Sequence, residues 1–185
     1  MDKKFLKIVI AAFIVLAVIA LFPWIEGRIS SSKKDTQKNI SVDLSGFTKD
    51  SVDKVVIKKM EEENVLQKKE GKWQIGQDEA DEAKIDQLFE DFAEMKVVEA
   101  AAQNEANHAK FEVTKETGYQ LIISQGGKDT VFYVGKADNG GAGFYIRKEG
   151  IKNVYLMEGH LRDDLALAAD KWKKATEQKE ASPVK

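Results

Sequence analysis

The chain has 185 residues, 29 basic against 31 acidic side chains, a formal net charge of -2 and no cysteine. With an apolar N-terminal run and two polar stretches set aside, that length holds one domain of ordinary size able to bury its own core. A mildly acidic, well-mixed surface argues against nucleic acid as partner, and the lack of cysteine excludes a disulfide framework or a thiolate metal site.

Ile8 to Phe22 reads IVIAAFIVLAVIALF, fifteen residues without a polar side chain, and Phe5, Leu6, Trp24 and Ile25 extend it past Lys7 and Pro23. A helix over residues 5–25 would span roughly 30 Å, about the hydrocarbon thickness of a bilayer. Residues 1–27 are therefore expected to be a short cytoplasmic stub and a transmembrane anchor, with Phe5, Phe22 and Trp24 as its aromatic anchor residues. The competing reading is a cleaved signal peptide with Val18 and Ala20 before the cut. The length of the run and the bulky Leu21, Phe22, Pro23 and Trp24 after that cut speak against it. Lys3, Lys4 and Lys7 precede the run, while Arg28, Lys33, Lys34 and Lys38 follow it, so counting lysine and arginine nearly ties. The free amine and the tight clustering on the short side favour an N-terminus inside and a body outside the cytoplasm.

Residues 28–50 contain SSSKKDTQKN and no sustained apolar period, which predicts a flexible linker. A domain is expected over residues 51–173. Asp53–Met60 and Glu63–Glu70 read as strands, and Gly71–Ile75 follows with Trp73 and Ile75 on one face. Ile85, Leu88, Phe89, Phe92 and Met95 recur at helical spacing, with Lys84, Asp86, Glu90, Asp91 and Glu94 assigned to the other side and Asp78 or Asp81 as cap. Lys96–Ala100 returns as a strand. Gly118–Ser124 and Asp129–Gly135 pair around Gly126–Lys128, and Ala142–Lys148 pairs with Lys152–Glu158. A last helix is expected from Gly159 to Trp172, turning Leu161, Leu165, Ala168 and Trp172 to one side. Residues 174–185 read as a disordered tail. The order predicts an α+β domain, a mostly antiparallel meandering sheet with two packed helices, preceded by one N-terminal transmembrane helix.

Gly135–Gly143 reads GKADNGGAG, but a strand rather than a helix start follows it, so a hairpin loop with Asn139 and Gly140 at positive φ is expected instead of a phosphate cradle. Asp138 and Asn139 lack the further spaced carboxylates of a calcium loop. His160 with Asp163 or Asp164 is too small a set for a metal site, and His108 reads as a structural hydrogen-bonding residue. No catalytic, metal or cofactor-binding residue is assigned, and the domain is read as non-enzymatic. The candidate interaction surface is Tyr133, Tyr145, Arg147 and Tyr155, because exposed aromatics and arginine dominate interface energetics. The competing role for Arg147 is an ion pair across the sheet.

Several stretches, taken in order, resemble the bacterial DUF4340 family, a domain of unknown function commonly found behind a single membrane-spanning helix. They are VDKVVIKK, GKWQI and the helix with Phe89 and Phe92, then NHAKFEVTKETGYQLII, VFYVGKAD, FYIRKEGIKNVYLMEGHL and ADKW. The most specific pieces are His108–Phe111, Gly135–Lys136, Tyr145–Arg147, Val154–Tyr155 and Trp172. Lys173 stands where the family usually has arginine, and one copy is present where many members continue into a second. The resemblance implies an extracytoplasmic accessory module, since some relatives occur with ABC-transporter or gliding-motility-type envelope components. The expectation is a single-pass protein of the bacterial inner membrane, holding the bilayer through residues 5–25 and binding an envelope or ABC-transporter-type protein. A ligand-binding domain for an anionic glycan or lipid near Arg147 and the Gly140 loop is the alternative.

Overall fold

The computed structural model describes residues 42–141 and 143–175. The expected anchor with Phe5, Phe22 and Trp24, most of the expected linker, and residues 176–185 lie outside the described residues. Among the described residues no helix is long and apolar enough to cross a membrane.

Nine strands build one antiparallel sheet: β1 (Lys54–Lys59), β2 (Glu62–Lys69), β3 (Lys72–Ile75), β4 (Asp78–Glu79), β5 (Lys96–Ala102), β6 (Tyr119–Gln125), β7 (Lys128–Ala137), β8 (Gly143–Lys148) and β9 (Val154–Glu158). Among the described residues two α-helices join them, α1 (Glu82–Glu94) and α2 (Leu161–Leu165), with 3-10 turns at Glu105–Asn107 and Ala169–Trp172. The expected α+β class holds. Strand order is β4-β3-β2-β1-β6-β7-β8-β9-β5, so two local meanders meet where β1 pairs β6.

Local chemistry accounts for most of the elements. Gly126 and Gly127 sit at φ 57° and 76°, the left-handed pair that a two-residue hairpin needs, and they fix Gln125 opposite Lys128. Period-two alternation then sends Leu121, Ile123, Phe132 and Val134 to one face, here called inner, and Gln120, Ile122, Val131 and Tyr133 to the outer face. α1 starts at Asp81, whose carboxylate accepts from the Ala83 and Lys84 amides at 2.9 and 3.4 Å. Ile85, Leu88, Phe89 and Phe92 are buried against the inner face, and Phe89 lies 5.5 Å from Trp73 and 5.4 Å from Phe92, ring to ring. Asp91 departs from expectation. The sequence places it on the polar side of the helix, yet it is 4% exposed, because it follows Leu88 by three residues and flanks the apolar stripe.

α1 connects the two opposite edges of the sheet, with two residues between it and β4 and one before β5. Thirteen helical residues span about 20 Å. Nine flat strands would separate their edges by about 38 Å. With its short links α1 must therefore run across the inner face from one edge to the other, and the main core cluster lies between that face and the helix.

The C-terminal segment crosses back the same way. The single helix expected over residues 159–172 is instead α2, a break, and the 3-10 turn. Ala168 is extended at φ -67° and ψ 155° and is exposed, so it does not join Leu161, Leu165 and Trp172 in the core. An extended residue lengthens the reach of the strap, and Asn64 of β2 donates to the freed Leu167 carbonyl at 3.2 Å. The reach lets the Trp172 carbonyl accept the Asp81 amide at 2.8 Å and Lys173 bridge Ala80, which covers the β4 edge. At the other end the fold starts earlier than residue 51. Val42 and Leu44 are buried in the core, and Phe47 meets Phe132 edge-on at 6.2 Å.

Candidate functional site

The residues singled out from sequence fall on both faces of the sheet. Tyr145 and Arg147 alternate with Phe144 and Ile146 as expected, the first pair outward and the second into the core. Tyr133 lies beside Arg147 on the paired strand. Tyr155 does not belong with them. It pairs with Ile146, whereas Tyr145 pairs with Leu156, so Tyr155 points inward and is 2% exposed. Tyr133 is 6% exposed and also offers no free surface.

An excursion over residues 103–117 explains this burial. It lays Phe111 and Val113 on the outer face, where they cluster with Tyr133 and Val154 and pack against Tyr145. The Phe111 and Tyr145 rings are 4.5 Å apart. Three polar ties hold the excursion down. His108 shares a 2.8 Å hydrogen bond with the Lys152 carbonyl through Nε2, the Lys136 amide donates to the Phe111 carbonyl at 3.2 Å, and Arg147 Nε donates to the Val113 carbonyl at 3.0 Å. Arg147 Nη1 also reaches the Ile151 carbonyl at 3.4 Å, and the guanidinium lies 4.4 Å from the centre of the Tyr133 ring. Burial pushes the Arg147 pKa down from its ordinary value, against the opposing pull of Tyr133 and Glu149. The Tyr133 hydroxyl donates to Glu149 at 2.8 Å, and its pKa is raised by burial first and by Glu149 second.

Arg147 is thus structural, although through carbonyls rather than the cross-sheet ion pair weighed from sequence. Arg147→Ala is expected to lower stability by about 2–3 kcal/mol, since it orphans half-buried carbonyls and removes a cation over a ring. Arg147→Lys should recover less than half of that, because an ammonium cannot serve carbonyls in two directions from that stem. Urea denaturation reads both variants, and an unshifted midpoint would return Arg147 to the role of a free surface cation.

The glycine loop behaves as a hairpin connection. The positive φ falls on Gly141 (72°), not on Asn139 or Gly140. Asp138 is occupied within the loop, its carboxylate accepting the Gly143 amide at 3.1 Å and its backbone bonding Gly141 and Gly143. Gly135 and Lys136 form a bulge in the β7–β8 ladder, where the register shifts between Val134 and Ala137. The Gly135 carbonyl accepts from Arg162 Nε at 3.0 Å while the next amide turns to Phe111.

On the inner side an open depression of about 310 Å³ is lined by Asp91, Glu94, Lys96, Glu158, Gly159 and His160. His160 is exposed, 3.9 Å from Asp163. Asp91 of α1, which lines the depression, interacts with the carboxyl of Asp164 on α2, a pairing that the sequence does not reveal. The available signal was Asp91 lying three residues past Leu88 and four before Met95, at the rim of the apolar stripe. Among the described residues no group of three or more histidine, cysteine, aspartate or glutamate side chains could hold a metal ion.

A family model described as "Domain of unknown function (DUF4340)" matches residues 73–179. No curated protein and no solved structure matches the chain.

Proposed function

The chain belongs to the DUF4340 family, and from that premise we propose a membrane-tethered, extracytoplasmic, non-catalytic domain that docks on another envelope protein, of the kind found in ABC-transporter-type complexes. The apolar run over residues 5–25 supports the tether. The observation that carries the docking role is the unequal treatment of the two sheet edges. The C-terminal strap covers β4 through the Ala80–Lys173 bridge and the Lys174 amide on the Glu79 carbonyl at 3.0 Å. Among the described residues nothing pairs with the outer side of β5, and Val98 there is 57% exposed. Val98 stands at a bulge of the β5–β9 ladder, and an unpaired edge carrying an exposed apolar side chain is a surface that a partner strand can use. The Nε and Nη1 donors of Arg147 face carbonyls of its own chain, which counts against the ligand-binding alternative.

Two experiments test the proposal. A phosphatase fused to the C-terminus of the full chain should be active only outside the cytoplasm, and activity of a cytoplasmic reporter at the same junction would reverse the placement. Cross-linking in intact cells should trap a membrane partner, with at least tenfold less adduct for Val98→Asp at unchanged thermal stability. A monomer under all conditions, or adduct indifferent to Val98→Asp, would remove the docking role of β5.

A further inference from the structure

Asp91 and Asp164 are acceptor-only groups when ionised, yet they face each other across the α1–α2 contact. Asp91 is 4% exposed. Gln87 donates to its Oδ1 at 3.3 Å, while its Oδ2 is buried and receives no N–H or O–H. Oδ2 of Asp164 is buried in the same condition. Two carboxylates cannot both stay charged in such a place without a cation between them. The charged and titratable groups around them are mixed. Lys84 of α1 acts on Asp164 favourably and Asp163 of α2 acts against it. Glu94, Lys96, Glu158 and His160 line the adjoining depression. A single proton resolves the conflict, because it turns one oxygen into a donor and makes a short, charge-assisted O–H···O bond.

We infer that Asp91 and Asp164 hold one proton between them, and that this proton fastens the C-terminal strap to α1, so that the strap loosens as pH rises above neutrality. The strap carries α2, the buried Trp172 and the bridge that covers the β4 edge. Its release uncovers a second open sheet edge. Desolvation first, and then the Asp91 carboxyl, push the Asp164 pKa up to about 8. The sign follows from linkage. An unfolded aspartate has lost its proton above pH of about 4, whereas the folded pair keeps one, so the folded state binds the extra proton. Stability is then highest in acid and declines until the folded pair ionises.

The test is urea unfolding of the full chain in detergent from pH 5 to 9, with hydrogen exchange read over residues 161–174. For the wild type the unfolding constant should rise towards tenfold per pH unit, levelling near pH 8 or somewhat below, since solvent screening trims the effect on the half-buried Asp164. Asp164→Asn keeps a donor for Asp91 without the proton, and should lose most of that slope and keep the strap protected at pH 9. Equal slopes in wild type and variant, or no slope in the wild type, would overturn the inference. Should the variant not fold, infrared spectra of aspartate-labelled wild type decide. A protonated-carboxyl band present at pH 6.5 and lost by pH 9 supports the shared proton, and its absence refutes it. Stabilisation at pH 8 by millimolar calcium or magnesium in the wild type alone would replace the proton by a cation, and also refutes it.

Discussion

Gly135→Ala is expected to lower stability by about 3–5 kcal/mol, a large share of the roughly 5–15 kcal/mol that hold a domain folded. A methyl group there would stand 2.0 Å from the Phe111 carbonyl oxygen and 2.9 Å from Val113 Cγ1. The first obstacle is backbone, so no side-chain rotation relieves it, and overpacking of this kind costs roughly 1–3 kcal/mol even where neighbours can shift. Here the excursion must lift. The Lys136–Phe111 hydrogen bond breaks, and the Phe111 ring leaves Tyr145. Lifting relieves most of the clash but loses about 1 kcal/mol for the bond and about 2 for the exposed ring, and what remains of the overpacking accounts for the rest of the range. Urea unfolding measures the total, and hydrogen exchange should show protection falling first over residues 108–117. A variant within 1 kcal/mol of wild type would mean that the excursion is free to float.

Trp172→Ala should cost about 3–5 kcal/mol by the same measurement, the usual range for removing a large buried aromatic. Trp172 is 0% exposed and is the residue through which the strap grips the core beside Ala80. Its indole N–H is buried without an acceptor, which offsets part of the loss and places the value toward the lower end. Trp172→Phe is the informative companion. It keeps most of the apolar volume and deletes the orphan donor, so it should fall within about 1 kcal/mol of wild type. A loss below 1 kcal/mol for Trp172→Ala would show that the strap unfolds separately from the sheet.

What could be read from the chain was what neighbouring residues decide. The alternation in Gly118–Ser124 and the turn glycines gave the β6–β7 hairpin within two residues at each end. The stripe from Ile85 to Phe92 gave α1, and Asp81 capped it as one of two candidates. Non-local partners were not readable. Nothing in Asp53–Met60 says that its second neighbour is β6, and nothing in Lys96–Ala100 names β9. The break at Ala168 is a case of tertiary demand overriding a sound helical period, because Trp172 must reach the β4 edge. Burial misled the site reading in the same way. Tyr133 reads as an exposed aromatic and does point to the outer face, but residues 103–117 cover it, and loop coverage leaves no periodic mark. Asp91 was misplaced because a polar residue at the rim of an apolar stripe is ordinarily solvated, and its fate depends on Asp164, more than seventy positions away.

The seam between β1 and β6 has a consequence for synthesis. β1 emerges about 65 residues ahead of its second neighbour, a delay of roughly 3–13 s at common translation rates. Throughout that wait the growing polypeptide presents Val55, Val56 and Ile57 on an unzipped border, the sort of segment that nascent-chain chaperones capture. Lys54, Lys58 and Lys59 flank the three and repel self-association until the later half arrives.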